Sequence, residues 1–432
     1  MNNKVVKNAS WIIACRIVQS LLGFFISMLV ARYLGPSNYG LINYAASIVA
    51  FLLPVAKLGL SSILVREVIN YPDQEGETLG TALTLSIGSS LLSVFGVIAF
   101  TLIANRDEPT TILVCALYSI QLIFQALEMI QYWYQAKLLS KYTSLTALVA
   151  YIVFSAYKIY LLITGKNIFW FAVSQSIDYF VIASVLLFIY HKIGGQRLSF
   201  SKQAAKRMLA DSKYYIIADL MIAVFGQTDR ILLKLMISNA ETGVYSAAVT
   251  CTTFTSFVFV AILDSARPSI FESRKYSMEA FEKNVVRLYS VIIYLALLQS
   301  VAMALFSPII ISILYGAEYV GAVNVLRVIV WYTIFSYIGS ARNIWLLAEG
   351  KQKIIWKLNL FGAIFNVVSI VTLIPLFGAI GAAFASLCTQ IFTNVILGFI
   401  FKPLRRNNTL MLESLNPKYI GEMLSLIKNR KA

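Results

Sequence analysis

Seven ionisable residues interrupt stretches that are otherwise apolar: Arg16, Lys57, Asp219, Asp229, Arg230, Lys234 and Asp264. A charge at bilayer depth costs roughly 2.5–3.5 kcal/mol on insertion scales, so each needs a partner or a watery cavity. Arginine forks onto phosphate through paired N–H groups and lysine meets it as a point charge. Arg16, Lys57, Arg230 and Lys234 are therefore candidates for holding a phosphate-bearing ligand. Asp219, Asp229 and Asp264 face them in a mixed set with a slight cationic excess. A plainer reading stands beside this one: Asp229 can neutralise Arg230 next to it, or Lys234 one turn on. Glu128, Lys158, Asp178, Arg327 and Arg342 add charge to flanking apolar runs.

Bond-making chemistry has no comparable foothold. The sequence holds no paired-carboxylate loop, GxSxG, HExxH or P-loop, and its single histidine, His191, falls at the end of an apolar run. The four cysteines (Cys15, Cys115, Cys251, Cys388) lie inside apolar runs without a CxxC pair, which argues against disulfides and zinc and for small packing residues. The expected reading is a non-enzyme without cofactor or metal, powered by an ion gradient or by the substrate's own gradient.

The elements that position these charges are membrane helices. Of 432 residues 59% are hydrophobic and 13% charged, with a mean hydropathy of +0.76. A hydrocarbon slab of about 30 Å takes ~20 helical residues, which gives about twelve spans in an all-α, polytopic chain. Two pseudo-symmetric six-helix bundles are expected over 1–190 and 214–401, with a connector at 191–213 and a polar tail at 402–432. The tail carries a weak amphipathic signal through Met411, Leu412, Leu415 and Leu424. Lys4 and Lys7 precede an apolar run that is long, contains Arg16 and lacks a cleavage signal, so it reads as an uncleaved first helix.

The net charge of +16 would suggest nucleic acid in a soluble protein. Here it is distributed by side. The connector, the Arg267–Arg287 segment, the Lys351–Lys357 turn, Lys137/Lys141 and both termini hold most basic residues, and the opposite loops hold little beyond Arg32, Arg106 and Lys166, which places both termini in the cytoplasm. Tyr132-Trp133-Tyr134 and Trp331-Tyr332 fall near span ends and read as an interfacial belt.

The chain also restarts. Trp11–Gly40 recurs as Tyr214–Gly243, a shift of 243 − 40 = 203 positions that carries Gly23 onto Gly226. The face Arg16, Ser20, Gly23, Ser27 maps onto Asp219, Ala223, Gly226, Arg230, so both copies put charge on the same stripe. Two repeated bundles around one path are a transporter's plan.

Several segments carry a resemblance in order and spacing: ARYLGPSNYG with Leu41 to Ala46, the Tyr132–Tyr142 stretch, Thr228 to Leu232 leading to Thr242-Gly243-Val244-Tyr245, Leu314-Tyr315-Gly316 with Tyr319, Val325-Leu326-Arg327, and EGKQK leading to Asn366–Ser386. With these the chain resembles a Wzx-type polysaccharide flippase, of the superfamily that also holds MATE drug exporters and the lipid II flippase. The resemblance implies an alternating-access carrier of undecaprenyl-diphosphate-linked oligosaccharide repeat units (O-antigen, lipopolysaccharide or exopolysaccharide) in the bacterial inner membrane. It implies that Arg16, Lys57, Arg230 and Lys234 hold diphosphate or acidic sugars, and that Asp219, Asp229 or Asp264 binds a coupling H+ or Na+. The implied partners are the lipid-linked oligosaccharide, membrane lipids, a polysaccharide polymerase and a chain-length regulator, with no nucleic acid. A MATE-like exporter of organic cations shares the fold, and a membrane polysaccharide polymerase is the rival from another class, though no large loop is present to house its chemistry.

Overall fold

The computed structural model describes residues 3–419, with side chains for Cys15 and from Ile17 onward, and among them there is no strand. The first helix, α1 (Asn3–Ala56), contains two spans joined at Gly35, whose φ of 71° and ψ of 170° are non-helical and whose neighbour Pro36 lacks an N–H to continue the ladder. After a turn at Lys57–Gly59 come α2 (Leu60–Asn70) and α3 (Glu75–Ala104). The fourth span is assembled from α4 (Pro109–Ser119), α5 (Gln121–Leu127) and α6 (Gln131–Ala136), and α7 (Ser140–Ile163) and α8 (Ile168–Lys192) follow.

The second half begins with α9 (Lys202–Met236). Then α10 (Asn239–Phe254) and α11 (Ser256–Tyr276) form one long segment, followed by α12 (Met278–Leu305), the short α13 (Ser307–Leu314), and α14 (Ala322–Ile329) with α15 (Tyr332–Ala348). α16 (Ile355–Ile391) again contains two spans, broken at Gly378 (φ 55°) shortly after Pro375, and passes through a π-turn at Phe392–Ile396 into α17 (Leu397–Ile400). The last described helix is α18 (Arg405–Glu413).

Nine segments among the described residues are long and apolar enough to cross a membrane. Two of them, Ile17–Asn70 and Gln352–Ile400, hold a break and room for two spans each, and α9 is outside the nine. Nine plus two plus one returns the expected twelve. Every 18-residue window of α9 carries at least three Asp, Glu, Lys or Arg, which is why it fails an apolarity criterion.

The packing of α3 shows the medium. Its buried stripe is Ser86, Ser89, Ser90, Ser93, Val97 and Thr101, whereas Leu92, Phe95 and Ile103 are 73%, 68% and 83% exposed. Hydroxyls lie inside and large apolar side chains outside. Lipid removes the hydrophobic drive to bury leucine, and small residues let helices approach closely.

The chain packs as two compact units, 1–243 and 244–432. The first has a core built on Leu64, Leu79, Ile130, Trp133, Tyr134 and Tyr190, and the second a core built on Phe281, Tyr289, Ile292, Trp345 and Leu358. Trp133 and Tyr134 are 4% and 0% exposed, with Trp133 edge-on to Tyr134 and Tyr190. That corrects the interfacial-belt reading for these two rings: they face the core of the first unit, with Tyr132 half-buried beside it. In the tail Leu410 and Met411 are buried while Leu412 and Leu415 are exposed; Leu424 lies outside the described residues.

The packing units do not coincide with the sequence repeat, because the seventh span travels with the first unit. The segment before α9 lies along the start of α3: the Gly76 amide donates to Gln196 Oε1 at 3.0 Å, the Ser201 amide donates to Thr81 Oγ1 at 2.9 Å, and a Cβ on Gly80 would meet Ser199 O at 2.4 Å. Two ion pairs continue the seam, Arg66 with Asp211 at 2.8 Å and Arg207 with Glu67 at 3.2 Å, and Ser212 donates to Leu58 O. At the other end of α9 the repeated glycines meet. A Cβ on Gly40 would lie 1.8 Å from Asn239 O and 2.7 Å from Gly243 N, and one on Gly243 would lie 2.0 Å from Pro36 O.

Real Cβ atoms do not approach backbone so closely, and forcing extra atoms into packed sites costs ~1–3 kcal/mol or more. Gly40→Ala and Gly243→Ala should each lower the melting temperature of the detergent-solubilised protein markedly. Gly226 has nothing within 4 Å of its Cβ position, so Gly226→Ala should leave the melt unchanged or raise it through helix propensity, worth up to about 1 kcal/mol.

Candidate functional site

The charges of the first unit fall into two groups. Lys57 follows the last residue of α1 and is half-buried. It lies within electrostatic reach of Glu128 and of Asp219, which is exposed on α9. Glu128 opens a 3-10 turn, Glu128–Ile130, that interrupts the fourth span between α5 and α6. Such interruptions recur at working positions in helices. Glu128 also acts on Asp178 of α8, which in turn faces Lys158 of α7. The Lys158 ammonium is 4.3 Å from the Phe154 ring centre, and Asp178 Oδ1 is buried without a hydrogen-bond partner among the described residues. Asp219, Lys57, Glu128, Asp178 and Lys158 are thus electrostatic neighbours in series, a relay only in that sense, with three carboxylates and two ammonium groups, 2 − 3 = −1 when all are ionised. Only Lys57 and Asp219 of this relay stand among the seven residues singled out first. Glu128, Lys158 and Asp178 were visible as charges in apolar runs, but nothing in their spacing joins three different helices.

The second group lies at the far end of α9. Lys234, 6% exposed, sets its Nζ 2.7 Å from both Glu108 oxygens and 5.3 Å from the centre of the Tyr44 ring. Glu108 further accepts from Thr111 Oγ1 at 2.6 Å, and Tyr44 donates to Asn105 Oδ1 at 2.7 Å. A cavity of about 340 Å³ beside them is lined by Asn105, Glu108, Lys234, Ser238 and Asn239. Burial pushes the Glu108 carboxyl up, but the Lys234 ammonium and the Thr111 hydroxyl outweigh it and hold the group below the usual glutamate range. Glu108 sits in a loop and belongs to no repeat or motif, so this partner of Lys234 was not legible.

The remaining candidates are placed separately. Asp229 is buried on α9, and half-buried Arg230 directs one N–H at Gly226 O, 3.4 Å away. Asp264 belongs to α11 in the second unit, where Arg267 approaches to 3.3 Å. Arg16 is part of α1, and its side chain lies outside the described residues. In the second unit Arg342, 3% exposed, donates to Thr393 O at 2.8 Å within the π-turn. The structure therefore gathers Asp219, Asp229, Arg230 and Lys234 along α9, with Lys57 from the end of α1 in the same unit, and leaves Asp264 in the other.

A family model described as "Polysaccharide biosynthesis protein" matches residues 5–274, more than half of the chain. The chain belongs to that family. A capsular polysaccharide biosynthesis protein, CapF, of Staphylococcus aureus is 22% identical to this chain, over 92% of this chain and 99% of its own. The fold is similar to that of solved transporters of the MOP superfamily. An inward-facing multidrug resistance MATE family transporter of that superfamily aligns with a TM-score of 0.66 at 14% identity, over 91% of this chain and 96% of its own. The lipid II flippase MurJ in an inward closed conformation aligns with a TM-score of 0.65 at 16% identity, over 95% and 92%. The fold is thus shared with a membrane transporter and a lipid flippase, the architecture that the sequence resemblance implied.

The depressed Glu108 carboxyl fixes the sign of a pH effect. Its ion pair contributes stability that is complete above the unfolded glutamate value of about 4.3 and is lost as pH falls below it through the folded value. In melts of solubilised protein, Glu108→Gln should be less stable than the parent at pH 7, and the two curves should converge below pH ~4. A gap that persists at low pH would mean that Glu108 acts through its shape rather than its charge.

Proposed function

We infer that the protein is a flippase that carries undecaprenyl-diphosphate-linked oligosaccharide repeat units across the bacterial inner membrane by alternating access. What carries the reading is α9, a spanning helix with Asp219, Asp229, Arg230 and Lys234, and Lys57 within electrostatic reach of its first carboxylate. A family of polysaccharide biosynthesis has one membrane step that needs charge without bond-making chemistry: passage of a diphosphate and sugars through hydrocarbon. The polyprenyl tail can stay in lipid while the headgroup passes through a polar path.

In this reading Arg16, Lys57 and Arg230 meet the diphosphate, Arg230 with a fork and Lys57 with a point charge. Lys234 is committed to Glu108, so its part is to hold the far end of α9. Lys57 is shared between Glu128 and Asp219, and a diphosphate would compete with both. Protonation of either carboxylate removes a competitor for Lys57, which is a simple way for a proton gradient to bias loading and release. Asp219 is then the strongest of the coupling residues, ahead of Asp229 and of Asp264 with its Arg267 neighbour; Na+ is the other coupling ion to test. The basic connector and both termini lie in the cytoplasm, and a polymerase and chain-length regulator receive the repeat unit on the far side.

The test is leaflet transfer in reconstituted vesicles, following a polyprenyl-diphosphate oligosaccharide with the parent, Lys57→Ala and Arg230→Ala. Each variant should lose tenfold or more in transfer rate while folding like the parent, and Asp219→Asn should transfer without responding to an imposed pH gradient. Export of a small organic cation by the parent, with no glycolipid transfer, would replace this reading with a MATE-like exporter.

A further inference from the structure

A second cavity of the first unit is polar and, among the described residues, is lined by no charged side chain. It measures about 270 Å³ and is lined by Cys15 and Gln19 of α1, Gln131 and Gln135 of α6, and Ser140, Thr143, Ser144 and Ala147 of α7. The spacing shows that three helices each offer one face: 15 and 19 are i and i+4, as are 131 and 135, and 140, 143, 144 and 147 follow i, i+3, i+4, i+7. The turn from α6 to α7 is tight, with Leu138 at φ 57°, a left-handed conformation that a non-glycine residue adopts only when its surroundings enforce it. Among the described residues the carboxamides of Gln19, Gln131 and Gln135 make no hydrogen bond of their own.

We propose that this cavity is a subsite for one uncharged sugar ring of the transported headgroup. The proposal rests on the flippase reading and adds a specificity element to it. A carboxamide offers two donors and an acceptor with two lone pairs, and a serine or threonine hydroxyl both donates and accepts, which matches the mixed donors and acceptors of sugar hydroxyls. Among the described residues this wall offers a diphosphate no cation. At ~30 Å³ per water the cavity equals about nine waters, room for one ring and not for a chain of sugars. Lys57 meets the diphosphate in that reading, and the three glutamines select a sugar of the same headgroup.

Cys15 lines the cavity and reports its occupancy independently of transport. The experiment measures alkylation of Cys15 by a membrane-permeant maleimide, localised by mass spectrometry, with polyprenyl diphosphates carrying glucose, galactose or N-acetylglucosamine and with sugar-free polyprenyl diphosphate. At least one sugar-bearing lipid should protect Cys15 at fivefold or more lower concentration than the sugar-free lipid. Gln131→Leu and Gln135→Leu should abolish that difference while still binding the sugar-free lipid. Sugar-bearing lipids that are transferred by the parent but protect Cys15 no better than the sugar-free lipid would overturn the subsite and leave the flippase standing. Protection that survives in both glutamine variants would also overturn it. Failure of the parent to bind or transfer any polyprenyl diphosphate would remove the flippase reading and the subsite together.

Discussion

Charge in hydrocarbon is the constraint on which the first unit is built. The seventh span brings two aspartates, an arginine and a lysine into a bilayer that penalises each by roughly 2.5–3.5 kcal/mol. The helix is not left to bear that cost alone. Lys234 is paired through both oxygens of Glu108 at one end, Asp211 and Arg207 are paired with Arg66 and Glu67 at the other, and Asp219 lies in the field of Lys57 between them. Pinning at both ends explains why α9 packs with the helices that precede it in sequence rather than with those that repeat its partners.

Close packing and charge are linked through glycine. Gly40 and Gly243, images of one another under the 203-residue shift, touch backbone to backbone. No side chain fits between them, and their contact lies just beyond the end of α9 that carries Lys234. The other repeated pair behaves differently: a Cβ on Gly23 would strike the Tyr151 hydroxyl at 2.5 Å, whereas Gly226 stands in open space. One image of the stripe is packed and the other is free, so the repeat is symmetrical in sequence but not in use.

Much of this was legible in the chain. Hydropathy and length gave the spans, and the repeat pointed to the glycines that meet. The charges on α9 were visible because nothing apolar hides an Asp-Arg pair. What was not legible depends on long-range pairing. Glu108 is 126 residues from Lys234, and Glu128, Lys158 and Asp178 come from three elements whose neighbours no period reveals. Trp133-Tyr134 misled because nearness to a span's end says nothing about which way the helix faces. The glutamine cavity was silent for a further reason: uncharged amides in a helix are ordinary, and it takes both the turn at Leu138 between α6 and α7 and the packing of α1 against α7 to bring two amide faces and a hydroxyl face together.

The central claim is that fixed cations of the first unit hold a diphosphate headgroup. Its most direct test is equilibrium binding to the solubilised protein, by quenching of intrinsic fluorescence, of polyprenyl diphosphate against the corresponding polyprenyl alcohol. The account predicts that the diphosphate binds at least tenfold more tightly, that the advantage shrinks as salt rises, and that Lys57→Gln removes most of it. Equal affinity for the two lipids, or a preference that ignores both salt and Lys57, would contradict it.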